Sequence, residues 1–260
     1  MLEVKDLHVS FPTRDGALEE AVKGISFTIG DGEIMGIVGE SGSGKTQTAL
    51  AMAGLSPRKA RLSGQIILNG RDLMPLPREE IRKVQGNDIA MVFQEPMTSL
   101  NPTMRIGRQV EEVLAIHTDL DKAARKELAL QALRDVELPD VETAYRKYPH
   151  QLSGGQRQRV MIASAIIGRP KLLIADEPTT ALDVTIQEEI LKLLQKLNRE
   201  KNMAILFISH DLRVIRKLCS RVAVMNQGLI VEQGDVEEIF LRPRDPYTKK
   251  LIDSIPMRRC

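Results

Sequence analysis

The sequence predicts an α/β protein with a mainly parallel sheet, an antiparallel β subdomain at its start and a helical insert in its middle. Three observations predict this fold class. Residues 34–38 are almost continuously apolar, as in a strand covered on both faces. Residues 171–225 alternate strand-like runs with helical spacing, which is typical of parallel strands joined by helices. Residues 97–167 carry helical spacing without a convincing strand.

The antiparallel start rests on two stretches, residues 2–9 and 25–29, in which apolar and polar residues alternate as in half-buried strands. A glycine-rich loop follows the strand at 34–38 and leads into a helix over 46–55, and a further strand is expected at 64–69. The remaining expected elements are helices at 106–116, 121–136, 156–167, 185–198 and 212–218, and strands at 171–175, 203–208 and 222–225.

The composition argues against nucleic acid as a partner. The chain has 260 residues, 42% of them hydrophobic, and 37 Lys and Arg against 35 Asp and Glu leave a formal charge of only +2. Aromatic residues make up 3% and Trp is absent, so platforms on which bases could stack are poorly supplied. We therefore expect no nucleic-acid partner.

Nothing in the chain has the pattern of a membrane span or a secretion signal. The most apolar stretch, residues 160–168, is about half of the roughly 20 residues that cross a bilayer. Charges at Glu3, Lys5 and Asp6 stand where a signal peptide is apolar. The two cysteines, Cys219 and Cys260, are too few for a disulfide framework or a four-cysteine zinc site. We expect a cytoplasmic protein with free thiols.

A phosphate-binding motif occupies residues 39–46, here called the phosphate loop. Its sequence GESGSGKT fits G-x-x-x-x-G-K-[ST] and lies between a buried strand and a helix, which is the context the motif requires. Glycines let the backbone amides and the helix N-terminus face phosphates; Lys45 would neutralise their charge, and the Thr46 hydroxyl would hold Mg²⁺. The candidate nucleotide-binding residues here are Gly39, Ser41, Gly42, Ser43, Gly44, Lys45, Thr46 and Gln47. GTPases, kinases, helicases and transporters share this loop, so it leaves the function open.

Two adjacent carboxylates, Asp176 and Glu177, end the apolar strand that begins at Leu172. Asp176 at the strand end is a candidate Mg²⁺ ligand, and Glu177 is a candidate base for the water that attacks the γ-phosphate. His210 follows another core strand, from which a side chain can reach the γ-phosphate. We therefore predict a catalytic role for both Glu177 and His210.

The signature segment, residues 152–156 (LSGGQ), identifies the chain as resembling the ATP-binding cassette ATPases. Physically it is a serine cap with two glycines that open a helix whose amides can face an anion. Five further motifs stand in the family's order: the phosphate loop, Gln94, the pair Asp176 and Glu177, the ALD run at 181–183, and His210. The resemblance implies the RecA-like core of the P-loop NTPases, with ATP and Mg²⁺ as cofactors.

The resemblance also implies roles for single residues. Phe11 is similar to the aromatic residue that stacks on adenine. Gln94 is similar to a catalytic glutamine that senses Mg²⁺, as a candidate ligand, and water, and that signals to a membrane subunit. Asp183 resembles an aspartate that communicates across the interface with a second cassette. The residues that would contact the γ-phosphate of ATP held by that second cassette are Ser153, Gly154, Gly155 and Gln156.

The resemblance implies one cassette domain over residues 1–260. Its nucleotide-binding core would comprise residues 1–96 and 168–232, its helical subdomain with the signature segment 97–167, and its C-terminal tail 233–260. The implied partners are a second cassette, identical or related, in a head-to-tail pair, two membrane permeases and an extracytoplasmic solute-binding protein. The implied location is peripheral, on the cytoplasmic face of the cell membrane.

Two segments narrow the resemblance. Residues 93–102 (FQEPMTSLNP) and the tail between Arg242 and Pro256 resemble the ATPases of oligopeptide, dipeptide and nickel importers. The hypothesis is therefore an importer ATPase for peptides or for nickel or a related metal chelate. An exporter shares the same chemistry and stays an alternative. A DNA-repair or chromosome cassette is disfavoured, because residues 46–152 lack sustained heptads and cysteines.

Overall fold

The computed structural model describes residues 1–95, 99–180 and 182–254. The chain divides into two compact units: unit 1 comprises Met1–Ile81 and Ala204–Cys260, and unit 2 comprises Arg82–Met203. The boundary falls inside helix α2 (Arg78–Val84). Within the described ranges, no helix combines the length and the apolar character that a membrane span requires.

The first sheet of unit 1 is antiparallel. It has the order β2-β1-β4-β5, and its strands are β1 (Leu2–Pro12), β2 (Leu18–Ile29), β4 (Arg61–Leu68) and β5 (Arg71–Asp72). The alternation predicted for β1 is observed, since Leu2, Val4, Leu7 and Val9 are all buried. The three-residue step from Val4 to Leu7 is a β-bulge, where Asp6 has a φ of 48° and the register with both neighbouring strands shifts.

The second sheet positions the phosphate loop. In unit 1, β3 (Ile34–Val38) lies between β8 (Ala204–Ser209) and β9 (Arg221–Asn226), parallel to both, and β10 (Leu229–Asp235) pairs antiparallel with β9. The helices of this unit besides α2 are α1 (Lys45–Met52), α8 (Leu212–Leu218), α9 (Val236–Leu241) and α10 (Pro246–Asp253). β8 is buried along its whole length, as its apolar run predicts.

Unit 2 is mostly helical. Its strands β6 (Ile89–Val92) and β7 (Leu172–Asp176) form a parallel pair. Its helices are α3 (Ile106–His117), α4 (Lys122–Asp135), α5 (Val141–Arg146), α6 (Gly154–Ile166) and α7 (Val184–Lys201), with a 3₁₀ turn at Pro149–Gln151. The long helices agree with the predicted ranges to within three residues. The short elements β6, α2 and α5 were not predicted, because four to seven residues are too few for a periodic pattern.

One close approach inside unit 1 has a measurable consequence. A Cβ atom at Gly36 in β3 would lie 2.9 Å from two side-chain carbons of Ile215 in α8 and 3.2 Å from the Cys219 sulfur. Cys219 is a buried free thiol whose pKa is raised by burial. The helix therefore lies as close to the strand as a residue without a side chain permits.

We predict that Gly36→Ala lowers the free energy of unfolding by about 1–3 kcal/mol, because the added methyl overpacks the space below Ile215. Gly234→Ala in β10 is the matched control, since its Cβ would meet only Ile239 at an ordinary 3.7 Å. Urea unfolding of the two variants measures the difference. Equal midpoints for the two variants would contradict the packing argument, and Ile215→Val should restore part of the loss.

Candidate functional site

The phosphate loop connects the buried strand β3 to α1. Gly44 caps α1 with a φ of 104°, a left-handed conformation that favours glycine. No side chain caps this helix, and its first turn contains no acidic residue. The amides at the start of α1 are therefore available to an anion, whose charge the helix dipole favours.

The phosphate loop lies directly against β9 and the turn that follows it. A Cβ atom at Gly39 would lie 2.1 Å from the Met225 carbonyl oxygen. The Gly228 amide, in the turn after β9, donates to the Ser43 carbonyl at 3.0 Å. The Ser43 hydroxyl is itself buried and has no hydrogen-bond partner among the described residues. A buried hydroxyl without a partner costs free energy, and a phosphate oxygen would be a suitable acceptor for it.

Lys45 folds back across the phosphate loop instead of extending into solvent. The residue is only 5% exposed, and its ammonium donates to the carbonyl oxygens of Gly39 at 2.8 Å and Glu40 at 2.9 Å. A buried ammonium requires such partners, because desolvation of a charge is costly. By contrast, Ser41, Gly42 and Thr46 are exposed, and Gln47 is half-buried.

Two further predicted residues lie in unit 1. His210 directly follows β8 and is exposed, whereas Phe11 is half-buried near the end of β1, opposite Glu19. Asp211 caps α8 through the Arg213 amide. Burial raises the Asp211 pKa, whereas the hydrogen bonds from Arg213 lower it. The hydrogen bonds and the nearby positive charge together outweigh burial, so the Asp211 pKa lies below its usual value. His210 is therefore followed by a carboxylate that stays ionised at neutral pH.

Glu177 in unit 2 is held by two side chains. Asp176 ends β7 and is 3% exposed, and Glu177 comes next with a φ of 46°. The Glu177 Oε2 atom accepts from the Gln94 Nε2 atom at 3.2 Å and from the Thr180 Oγ1 atom at 3.0 Å. The structure thus brings Gln94 and Glu177 into hydrogen-bond contact.

Thr180 is a residue that the sequence analysis missed. Its amide donates to the Glu177 carbonyl at 3.2 Å, so residues 177–180 form a tight turn that returns the Thr180 side chain to the carboxylate. The usable signal was Pro178, because proline favours the second position of such turns.

The signature segment is also in unit 2 and begins α6. Ser153 and Gln156 form a capping box: the Ser153 hydroxyl accepts from the Gln156 amide at 3.3 Å, and the Gln156 side chain accepts from the Ser153 amide at 3.1 Å. Ser153 and Gly154 are exposed. A Cβ atom at Gly155 would lie 2.8 Å from Ile186 in α7, so the two helices approach closely here.

Asp183 caps the adjoining helix α7, since its side chain accepts from the Ile186 amide at 2.9 Å. Asp183 therefore stands at the N-terminus of α7, the helix whose Ile186 lies against Gly155. Ala181 of the same motif, residues 96–98 of the segment after Gln94, and tail residues 255–260 lie outside the described residues.

The predicted Mg²⁺ ligands divide between the two units: Thr46 belongs to unit 1, and Gln94 and Asp176 belong to unit 2. All three supply oxygen donors, the type that Mg²⁺ prefers. Across the described part of the chain, no group of three or more His, Cys, Asp or Glu residues could hold a metal ion.

Comparison with known proteins gives consistent matches. Residues 22–180 match the family described as "ABC transporter". The oligopeptide transport ATP-binding protein OppD of Escherichia coli is 48% identical over 256 residues, which cover 98% of this chain and 76% of that protein. OppD of Bacillus subtilis is 50% identical over 258 residues, covering 98% of this chain and 72% of that protein.

A solved structure agrees in fold. The ATP-binding cassette MJ0796, a dimer in a post-hydrolysis state bound to ADP and Pi, is 29% identical and superposes with a TM-score of 0.80 over 91% of this chain and 99% of that chain. The predicted α/β P-loop fold and the predicted ATPase activity are confirmed by these matches. The chain therefore belongs to the ABC transporter family of ATP-hydrolysing cassettes.

Proposed function

We propose that this protein is the ATP-hydrolysing subunit of an importer of peptides. The observation that carries the proposal is the sequence identity of 48% and 50%, over 98% of the chain, to two ATP-binding proteins named for oligopeptide transport. The sequence left nickel or a metal chelate open as a substrate. Because the names of these two relatives refer to oligopeptides and not to nickel, we propose peptides as the substrate class. The subunit would act at the cytoplasmic face of the membrane, as one cassette domain with its tail.

In the proposed mechanism, the phosphate loop binds ATP through its uncapped amides and the Lys45 ammonium. The Lys45 ammonium is held at the loop by two backbone carbonyls and would neutralise charge on the phosphates there. Phe11 would stack on adenine, and the Ser43 hydroxyl would gain the partner that it lacks. Thr46, Gln94 and Asp176 are proposed to hold Mg²⁺, which would neutralise charge on the transferred phosphoryl group.

Glu177 is proposed as the general base for the attacking water. Gln94 and Thr180 both donate to its Oε2 atom and so fix the carboxylate before ATP arrives. His210 is proposed to contact the γ-phosphate.

The partners are proposed from the family. A second cassette would pair head to tail, and Ser153, Gly154, Gly155 and Gln156 would face the γ-phosphate bound by that partner, with Asp183 beside them. The exposed Ser153 and Gly154 at the start of α6 support this assignment, because a helix N-terminus favours an anion. Two permeases and an extracytoplasmic solute-binding protein would complete the importer.

A groove in unit 2 suits the membrane subunit. This docking groove, a cavity of about 720 Å³, carries five cationic side chains and one carboxylate, and its lining residues are Thr103, Met104, Arg105, Arg108, Glu111, Lys122, Arg125, Tyr145, Arg146 and Tyr148. The carboxylate of Glu111 accepts a hydrogen bond from Tyr145, whose pKa is raised to about 12 by burial and by this bond. The net positive lining favours an acidic cytoplasmic segment of a permease.

The function is tested by uptake of a labelled oligopeptide in cells that express the chain with its permeases and binding protein. We expect Glu177→Gln to retain ATP binding and to lower ATP turnover and uptake by about 100- to 10,000-fold, because the general base is lost. Glu127→Gln on the exposed face of α4 is the matched control. Uptake of a nickel chelate but of no peptide would refute the substrate class.

Thr180 should tune the rate without affecting ATP affinity. We predict that Thr180→Val lowers kcat by about 3- to 10-fold, the worth of one hydrogen bond that positions Glu177, and leaves KM for ATP unchanged. Thr180→Ser keeps the hydroxyl and should restore the rate. A Thr180→Ser variant as slow as Thr180→Val would show that the methyl packing, not the hydrogen bond, matters.

The docking groove is tested by charge reversal. We predict that Arg108→Glu reduces co-purification of the membrane subunits with the cassette by at least about 10-fold, because an exposed cation of the groove becomes an anion. Lys192→Glu on the exposed face of α7 makes the same charge change outside the groove and should leave co-purification intact. Equal loss in both variants would point to net charge instead of the groove.

A further inference from the structure

A tyrosine of the C-terminal tail contacts the phosphate loop. The amide of Glu40, the second residue of the loop, donates to the Tyr247 hydroxyl oxygen at 2.9 Å. The two residues are 207 positions apart in sequence, and both belong to unit 1. Tyr247 is half-buried at the start of α10.

The contact acts on a peptide group that Lys45 also holds. The Gly39 carbonyl and the Glu40 amide belong to one planar peptide unit. The Lys45 ammonium donates to its oxygen at 2.8 Å, while Tyr247 accepts from its nitrogen at 2.9 Å. The peptide is thus bonded at both ends, and rotating it would break both hydrogen bonds at once.

The tail holds Tyr247 through a short series of hydrogen bonds. Asp245 caps α10 by accepting from the Tyr247 amide at 2.8 Å. The Glu232 carboxylate in β10 accepts from the amides of Arg244 at 2.9 Å and Asp245 at 3.1 Å. Because β10 pairs with β9, whose Met225 carbonyl lies against Gly39, the tyrosine and the loop share one framework.

We propose that Tyr247 is a positioning residue for the phosphate loop, through which the C-terminal tail sets the affinity of the loop for nucleotide. The inference rests on the proposed assignment of residues 39–46 to the ATP phosphates. A tail that were merely docked on the surface would stabilise the fold without affecting nucleotide binding. Under the proposal, loosening the tail weakens nucleotide binding even in a fully folded protein.

The first test is Tyr247→Phe, which removes the hydroxyl and keeps the ring. We expect the Kd for a non-hydrolysable ATP analogue with Mg²⁺ to rise by about 3- to 10-fold, the worth of one hydrogen bond, while kcat at saturating ATP changes by less than about twofold. Thermal unfolding without nucleotide checks that the variant is folded. Wild-type affinity in folded Tyr247→Phe would overturn the proposal.

The second test separates positioning from simple tail stability. Glu232→Gln weakens the two bonds that anchor the start of α10 and should raise the Kd in the wild-type background but not in the Tyr247→Phe background. Glu237→Gln on α9 is the matched control, because its carboxylate pairs with Arg216 instead and should leave the Kd unchanged. An equal effect of Glu232→Gln in both backgrounds would contradict the proposed route through Tyr247.

Lys45→Ala distinguishes failure of this inference from failure of the proposed function. Loss of its ammonium should weaken binding of the ATP analogue by about 10- to 150-fold. Wild-type affinity in Lys45→Ala would refute the assignment of the loop itself. Weak binding in Lys45→Ala together with wild-type affinity in Tyr247→Phe would refute only the role of Tyr247.

Discussion

The position of the phosphate loop depends on the parallel pairing of β3 with β8 and β9. Because parallel strands end at one edge of a sheet, this pairing brings the loop after β3 to the same edge as His210 after β8 and the turn after β9. The turn then bonds to the loop directly, through the Gly228 amide and the Ser43 carbonyl. A side chain at position 39 would separate β9 from the loop, so the pairing and the glycine depend on each other.

The same geometry leaves the loop poorly satisfied without a ligand. It leaves the buried Ser43 hydroxyl without a partner among the described residues and starts α1 without a side-chain cap. Each of these costs free energy in the absence of ligand. An anion that accepts from the Ser43 hydroxyl and from the amides at the start of α1 would recover that cost, so nucleotide binding should also stabilise the fold of unit 1.

Sequence patterns predicted the parts of this structure that local rules govern. Periodicity located the buried strands β3, β7, β8 and β9 and the long helices, whereas it missed the short buried strand β6. The phosphate loop followed from a motif of eight residues whose spacing has a direct physical reason. The contacts of Glu177 with Gln94 and of Glu40 with Tyr247 span 83 and 207 positions, and no local pattern encodes them. In the sequence, the bulge at Asp6 shows only as a three-residue step between the apolar residues Val4 and Leu7. Its position becomes clear only from the pairing of β1 with its neighbouring strands.

The reactive groups and the groups that hold them differ in how strongly they should control the reaction. In the proposed mechanism, Lys45 would neutralise charge on the phosphates and Glu177 would accept a proton from water, so loss of either group should impair the reaction strongly. Tyr247 and Thr180 each contribute one hydrogen bond between partly exposed groups, worth about 1 kcal/mol, so changing either shifts an equilibrium or a rate several-fold. Since Tyr247 acts on the loop and Thr180 on the carboxylate, substitutions at these positions can change ATP affinity and ATP turnover separately.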